Sequence, residues 1–132
     1  MKKQGILNSH ISKVLTDLGH TDTIVIADVG LPVPAGVPKI DLALKLGVPS
    51  FQDIVDLLSE DMVIEKVIVA EELAAENKAT SQYLNDKFKE ISIETCSHEH
   101  FKLLTRQAKV VIRTGEAKPY ANCILQAGVY FG

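Results

Sequence analysis

Apolar residues in this chain follow two kinds of pattern, one typical of strands and one typical of helices, in segments that alternate along the sequence. Short runs that are wholly apolar, or apolar at every second position, are typical of strands within a sheet. Such runs predict strands at 23–28, 40–44, 67–70, 91–95, 110–112 and 121–131. Segments with apolar residues three or four positions apart lie between several of these strands, and they predict helices at 9–18, 51–58, 79–90 and 98–104.

Residues at the segment ends support this interpretation. Asn8 or Ser9, Ser50 and Ser97 precede three predicted helices, where a side-chain oxygen accepts a free backbone N–H. Gly19 follows the first helix, as is typical of a helix stop. The alternation of strands and helices predicts an α/β protein, a three-layer α/β/α sandwich with a mainly parallel sheet of about six strands.

Length and composition restrict the class of protein. A chain of 132 residues with 46% apolar and 23% charged residues suits one globular domain, which we expect to span 1–132. A net charge of -3 without a long basic run argues against nucleic acid as a partner. No apolar stretch approaches the ~20 residues of a membrane span, and no signal-peptide core is evident. We therefore expect no membrane partner and a cytoplasmic location.

Metal and redox chemistry find little support in the sequence. Cys96 and Cys123 lie in different segments without CxxC spacing, which favours free structural thiols in a reducing compartment. His98 and His100 are two positions apart, and residues with that spacing do not share a helix face. The dinucleotide, phosphate-loop and hydrolase glycine motifs do not occur in the sequence.

The most informative chemistry lies at the two ends of the first predicted strand. Asp28 follows a buried run, and ligands in open α/β sheets bind beyond the carboxyl ends of strands. The alternative is that Asp28 only accepts backbone N–H groups of the turn at Gly30. His20 precedes the strand and is a candidate for proton transfer, or simply a polar residue favoured at a helix C-terminus. Such a strand separates the two side chains, so either another chain segment completes the site or only Asp28 lies at the ligand edge.

Two further groups of residues are candidates for binding. His98 and Lys102 are four positions apart and share a helix face, although Lys102 also fits a solvated surface. Tyr120 and Asn122, with Ala121 between them, place a phenol and an amide before the last strand. These groups suit the hydroxyls of a sugar, and they equally suit a turn. The residues alone therefore indicate a small α/β domain equipped for polyol binding and proton transfer.

Seven segments, in order along nearly the whole chain, are similar to the ribose pyranase and fucose mutarotase family. They are GILNS (5–9), LGHTD (18–22), DVGLP (28–32), GVPSF (47–51), SHEHFK (97–102), VIRTGE (111–116) and PYAN (119–122). The chain departs from the usual family pattern at Val29 and His100, and neither change affects an expected contact.

The resemblance implies a mixed sheet and an isomerase that interconverts the pyranose and furanose forms of D-ribose without cofactor or metal. It implies His20 as the acid and base. It also implies that the sugar is held by Asp28, His98, Tyr120, the Ala121 backbone and Asn122, with Lys102 as a further neighbour. The resemblance also implies pentameric rings that stack into a decamer, with the sites between subunits, so self-association is expected.

Two alternatives remain at this point. Fucose mutarotation is the first, but Thr21 and the Gly30-Leu31 pair differ from the residues typical of fucose-handling members and favour ribose. The second is a ribose-binding accessory of sugar transport without catalytic activity, which the sequence does not distinguish from an enzyme.

Overall fold

The computed structural model describes residues 1–131 and contains strands and helices in alternation. Its strands are β1 (Thr23–Ala27), β2 (Lys39–Asp41), β3 (Ile64–Ala70), β4 (Ser92–Cys96), β5 (Val111–Arg113) and β6 (Cys123–Ala127). Its α-helices are α1 (Ser9–Asp17), α2 (Phe51–Ser59), α3 (Glu72–Glu76), α4 (Lys78–Lys87) and α5 (His98–Leu104), with a 3-10 turn at Thr105–Gln107.

The strands form one six-stranded sheet in the order β2-β5-β1-β6-β3-β4. β6 runs antiparallel to both of its neighbours, β1 and β3. The pairs β1–β5, β2–β5 and β3–β4 are parallel. The expected mixed, mainly parallel sheet is therefore confirmed, and β1 lies near its centre.

The apolar run of β1 is explained by burial on both faces of the sheet. Ile24 and Ile26 pack into a core with residues of α1, α2 and α4. Val25 and Ala27 point the other way and pack with Phe101 of α5. Successive side chains of a strand point to opposite faces, so a strand between two layers of helices must be apolar at every position. This is the expected three-layer arrangement.

The structure differs from the sequence-based expectations at several elements. β3 begins at Ile64, three residues earlier than expected, and α4 ends at Lys87, three residues earlier than expected. Helix α3 was not predicted, because five residues are too few to display a helical period and its two leading glutamates resemble the end of a strand. β2 is shorter than expected, and Leu44 and Leu46 beyond it are exposed. β6 ends at Ala127, where the Gly128 backbone passes close to Val63, so that a Cβ there would lie 3.1 Å from the Val63 side chain.

Within residues 1–131, no helix combines the length and the apolar character needed to cross a membrane.

Candidate functional site

A cleft of about 450 Å³ opens at the carboxyl end of β1. It gathers side chains from three separate parts of the chain: the turn after β1, the first turns of α5 and the segment before β6. The lining residues are Asp28, Gly30, Leu31, Pro32, His98, Lys102, Pro119, Tyr120 and Asn122. Five side chains singled out from the sequence therefore meet at one place, although they are distant in the sequence.

Asp28 and Asn122 form a reciprocal pair on the floor of the cleft. The Asp28 backbone N–H donates to Asn122 Oδ1 at 2.7 Å, and Asn122 Nδ2 donates to Asp28 Oδ2 at 3.2 Å. Asn122 is 2% exposed, so a buried amide holds the carboxylate from below. β6 is the strand next to β1, and this pairing explains how residues so far apart in sequence come into contact.

The second oxygen of Asp28 organises the turn that follows β1. Asp28 Oδ1 accepts the backbone N–H groups of Gly30 and Leu31, each at 2.9 Å. The turn-stabilising interpretation of Asp28 is therefore correct, and Asp28 also lines the cleft. An ionised carboxylate has about four acceptor positions. These three bonds leave one of them for a ligand hydroxyl.

His98 begins α5 and turns its ring into the cleft. Its backbone N–H donates to both carboxylate oxygens of Glu72, at 3.0 and 3.2 Å. The His98 ring meets Tyr120 edge-on at 5.1 Å and stacks on Phe101 at 6.3 Å. His98 Nδ1 is buried and has no hydrogen-bond partner among the described residues. A buried polar atom left unpaired costs free energy.

Tyr120 is held in a backbone conformation that bulky residues rarely adopt. Its φ is 55°, in the left-handed region. The Asn122 N–H donates to the Tyr120 carbonyl at 2.8 Å, and Asn77 Nδ2 donates to the Pro119 carbonyl at 3.0 Å. Strained conformations persist where surrounding contacts enforce them, and they occur often at ligand sites. In this conformation the Tyr120 ring lies edge-on to His98.

The remaining candidate residues lie at the rim of the cleft, behind its lining or away from it. Lys102 lies one helical turn after His98, at the rim, and its Nζ is 2.8 Å from Glu99. The Ala121 side chain is fully buried in the core, so a contact with a ligand would come from its backbone. His100 is exposed and does not line the cleft with His98. In residues 1–131 no group of three or more His, Cys, Asp or Glu side chains is arranged to hold a metal ion.

His20 lies at the opposite end of β1 from the cleft. At roughly 3.3 Å per residue, the five residues of β1 separate its two ends by about 17 Å. His20 Nε2 is 2.9 Å from Glu65 Oε2, and Gln126 Nε2 donates to Glu65 Oε1 at 2.7 Å. Within one subunit, His20 is therefore not brought to the other candidates.

Sequence reasoning missed the residues that support these side chains. Glu65, Glu72, Asn77 and Gln126 act across elements, through contacts that depend on strand order and helix placement. Only Asn77 could have been found from the sequence, as a helix N-cap. It directly precedes α4, and its side chain accepts the Thr80 N–H.

Comparisons with known proteins agree with this fold. Residues 1–130 match the RbsD / FucU transport protein family. A D-ribose pyranase from Bacillus subtilis is 64% identical over 99% of this chain and 100% of its own length, and one from Bacillus licheniformis is 61% identical over the same shares.

Solved structures of related proteins have the same fold as this chain. The structure of Bacillus subtilis RbsD complexed with D-ribose matches with a TM-score of 0.97 and 64% identity, covering 99% of this chain and 100% of that chain. A fucose mutarotase from Streptococcus pneumoniae in complex with L-fucose has a TM-score of 0.76 at 21% identity, covers 94% of each chain and shares the fold. The chain belongs to the RbsD / FucU family.

Proposed function

We propose that this protein is a D-ribose pyranase, with residues 1–132 acting as one catalytic domain. The observation that carries the proposal is the 64% identity to a D-ribose pyranase over that protein's whole length. The cleft adds an independent argument. A carboxylate, an amide, a phenol and an imidazole converge there, and such groups pair with the many hydroxyls of a sugar.

The reaction requires only proton transfers and one change of ring bond. Opening of the pyranose breaks the bond from C1 to the ring oxygen, while the anomeric hydroxyl loses a proton and becomes a carbonyl. The ring oxygen gains a proton and becomes the C5 hydroxyl. Closure to the furanose adds the C4 hydroxyl to C1 and returns a proton to the carbonyl oxygen. Nothing is oxidised or reduced, so acid–base groups suffice without cofactor or metal.

The cleft side chains orient the sugar for these transfers. Asp28 and Asn122 are fixed by their mutual bonds and accept and donate to hydroxyls without rearranging. The His98 ring and Tyr120 line the same cleft and lie edge-on to each other. The Ala121 backbone and the Lys102 ammonium contribute at the edges. Positioned groups of this kind lower the barrier because the ordering is complete before reaction.

His20 serves as the proton donor and acceptor, and it comes from a neighbouring subunit. Imidazole is suited to this role because both of its forms are accessible near neutral pH. Since β1 holds His20 and Asp28 at opposite ends, two copies of the chain must meet to join them. Exposed apolar side chains offer surfaces for such contact, among them Leu44, Leu46, Tyr130 and Phe131. The assembly we propose is a decamer of two pentameric rings.

The unpaired cysteines are the basis for a cytoplasmic location. Cys96 and Cys123 are free, and Cys123 is fully buried. Burial raises the pKa of the Cys123 thiol, which keeps it protonated and unreactive. Free buried thiols suit a reducing compartment.

The test is exchange between ribose ring forms, followed by NMR saturation transfer with and without protein. Wild-type protein should accelerate exchange, and His20→Ala should lose at least ~10²-fold, the lower end of acid–base catalysis. A His20→Ala variant that still binds ribose separates catalysis from simple binding. If wild-type protein binds ribose without accelerating exchange, the protein is an accessory of transport and not an enzyme.

The same assay with L-fucose tests the substrate. The buried Leu31 places an aliphatic group against the cleft, and ribose lacks the C5 methyl that fucose must accommodate. We expect faster exchange of ribose ring forms than of fucose anomers. A preference of roughly 10–200-fold is the scale for one methyl-sized feature. Faster fucose exchange would instead identify a mutarotase.

Subunit mixing tests the shared site. Light scattering should give a mass far above the 14.4 kDa protomer. Mixing His20→Ala with Asn122→Ala protein should restore part of the activity, because mixed interfaces pair one intact His20 with one intact cleft. A fully active monomer contradicts the proposal.

A further inference from the structure

Glu65 forms the centre of a three-residue chain at the end of β1 opposite the cleft. One carboxylate oxygen is 2.9 Å from His20 Nε2, and the other accepts from Gln126 Nε2 at 2.7 Å. Glu65 lies on β3 and Gln126 on β6, so two neighbouring strands of the sheet hold this carboxylate in place. Both oxygens of the carboxylate are engaged, which fixes its plane relative to the imidazole.

The turn that carries His20 is equally constrained. Thr21 has a φ of 74°, which is unusual for a β-branched residue, and its N–H donates to the Ala127 carbonyl at 2.9 Å. The Gly19 N–H donates to Asp22 Oδ2 at 2.8 Å. A strained residue held by tertiary hydrogen bonds next to a candidate acid–base group fits a position whose side-chain direction matters.

We propose that Glu65 is a positioning residue that accepts the Nε2–H of His20 and thereby makes Nδ1 the atom that exchanges protons with the sugar. The inference rests on the proposed role of His20. A neutral imidazole carries one N–H, and an ionised carboxylate only accepts. When Glu65 faces Nε2, the N–H therefore lies there and the lone pair lies on Nδ1.

The charge state of Glu65 supports this tautomer. The hydrogen bond from Gln126, followed by that from His20, holds the pKa of Glu65 below its ordinary value. The carboxylate is therefore ionised at neutral pH and favours the imidazolium that forms when Nδ1 takes a proton. Because the His20 side chain is 53% exposed, this effect is mainly one of orientation, since exposed ion pairs add little energy.

Proton balance requires no further group on the His20 side. Nδ1 takes the proton of the anomeric hydroxyl as the C1 carbonyl forms, and it returns that proton to the ring oxygen as the C1–oxygen bond breaks. The other proton remains on His20 Nε2, which donates to Glu65 throughout. The same steps in reverse order, with the C4 hydroxyl, close the furanose.

Kinetics of Glu65→Gln provide the first test. The amide can donate to Nε2, which favours the opposite tautomer, so kcat for ribose exchange should fall about 10-fold while KM stays within about twofold. A loss of this size is a fraction of the ~10²–10⁴ supplied by acid–base catalysis. Glu90→Gln is the matched control, because Glu90 is an exposed glutamate near the end of α4. Glu65→Asp should recover part of kcat.

The tautomer itself is measurable in unmodified protein. Solid-state NMR of ¹⁵N-histidine protein, with the His20 signals assigned from a His20→Asn variant, should show protonated Nε2 and unprotonated Nδ1 in the neutral ring. In Glu65→Gln the Nδ1–H form should appear. Wild-type His20 protonated at Nδ1 in its neutral form overturns the proposal, whether or not the variants fold.

The outcomes for Glu65 and for the proposed function are distinguishable. Absence of ribose exchange in wild-type protein refutes the function. Wild-type exchange together with an unchanged kcat and tautomer in Glu65→Gln refutes only the role of Glu65. A rise in KM without a fall in kcat likewise overturns it, because that result indicates a binding or structural effect.

Discussion

The Asp28–Asn122 pair can be tested by changing one atom. Replacing the Asn122 amide nitrogen with oxygen removes the donor of one of the two hydrogen bonds and leaves the other intact. Asn122→Asp keeps the acceptor for the Asp28 backbone N–H, which lies 2.7 Å away. The Nδ2 donor, 3.2 Å from Asp28 Oδ2, is replaced by an oxygen. Two carboxyl groups then face each other in a position where the wild-type residue is 2% exposed.

The expected effect depends on pH, and its sign follows from linkage. Adjacent like charges raise the pKa of one carboxyl in the folded state above its unfolded value of about 4. The variant therefore keeps its stability below about pH 4 and loses it as the pH rises toward the raised value. A shift of about two pK units corresponds to about 2.7 kcal/mol, or a fall in Tm of roughly 10 °C.

The assay is thermal unfolding at pH 4 and pH 7, at one protein concentration and ionic strength. Asn122→Ala is the control, and its loss of about 1–3 kcal/mol from an unpaired backbone N–H should be similar at both pH values. The double change Asp28→Asn with Asn122→Asp exchanges donor and acceptor. The new amide still accepts from Gly30 and Leu31 and donates to the new carboxylate, so Tm at pH 7 should recover.

Two results refute this reasoning. If the Tm difference between Asn122→Asp and wild-type protein is equal at both pH values, the side chains do not interact as a donor and acceptor. If the double change is no more stable at pH 7 than Asn122→Asp alone, the geometry of the pair does not govern its energy.

Three further predictions concern supporting residues. Glu72→Ala frees the backbone N–H of His98, so KM for ribose should rise in exchange kinetics, while Glu72→Gln should give a smaller rise. Asn77→Ala removes a helix cap and a second hydrogen bond, and denaturant unfolding should show a loss of about 1–3 kcal/mol. Burial acts to raise the pKa of Asp56, but hydrogen bonds, one of them from Tyr83, hold it below its ordinary value. Tyr83→Phe should therefore cost about 1 kcal/mol at pH 7, as measured by urea unfolding. The cost should shrink as the pH falls below the ordinary value for Asp and through the lowered folded-state pKa of Asp56.

Much of the fold was predictable because buried positions are apolar, and apolar positions can be read from the sequence. The run from Ile24 to Ala27 is apolar throughout since both faces of β1 are covered, and Ser50 and Ser97 cap α2 and α5 as expected. The direction of β6, by contrast, could not be read from the pattern of apolar residues. An antiparallel strand in the middle of a parallel sheet has the same apolar pattern as its neighbours, and only the family resemblance indicated a mixed sheet.

The residues that line the cleft were predictable from the sequence, but the hydrogen bonds between them were not. A polar residue at the end of a buried strand, as at Asp28, stands out in the sequence. Its partner Asn122 stands out only as a hydrogen-bonding group close to another strand. The bond between them depends on β6 lying beside β1, which no local pattern specifies. Glu65 and Glu72 are harder still, because a glutamate on a solvated edge has the same sequence context whether or not it holds a histidine.

The position of His20 connects catalysis to assembly in the mechanism proposed above. β1 is a regular strand with the proposed proton-transfer residue before one end and the proposed sugar-binding residue after the other, and at about 17 Å no side-chain motion within a subunit joins them. An interface joins them without moving the strand. In the proposed assembly, each copy supplies a histidine to one neighbour and a cleft to another, a head-to-tail relation that forms a ring when its rotation closes. On this proposal, the rigid strand and the closed ring together would fix the distance between the acid–base group and the sugar, which a flexible loop would leave variable.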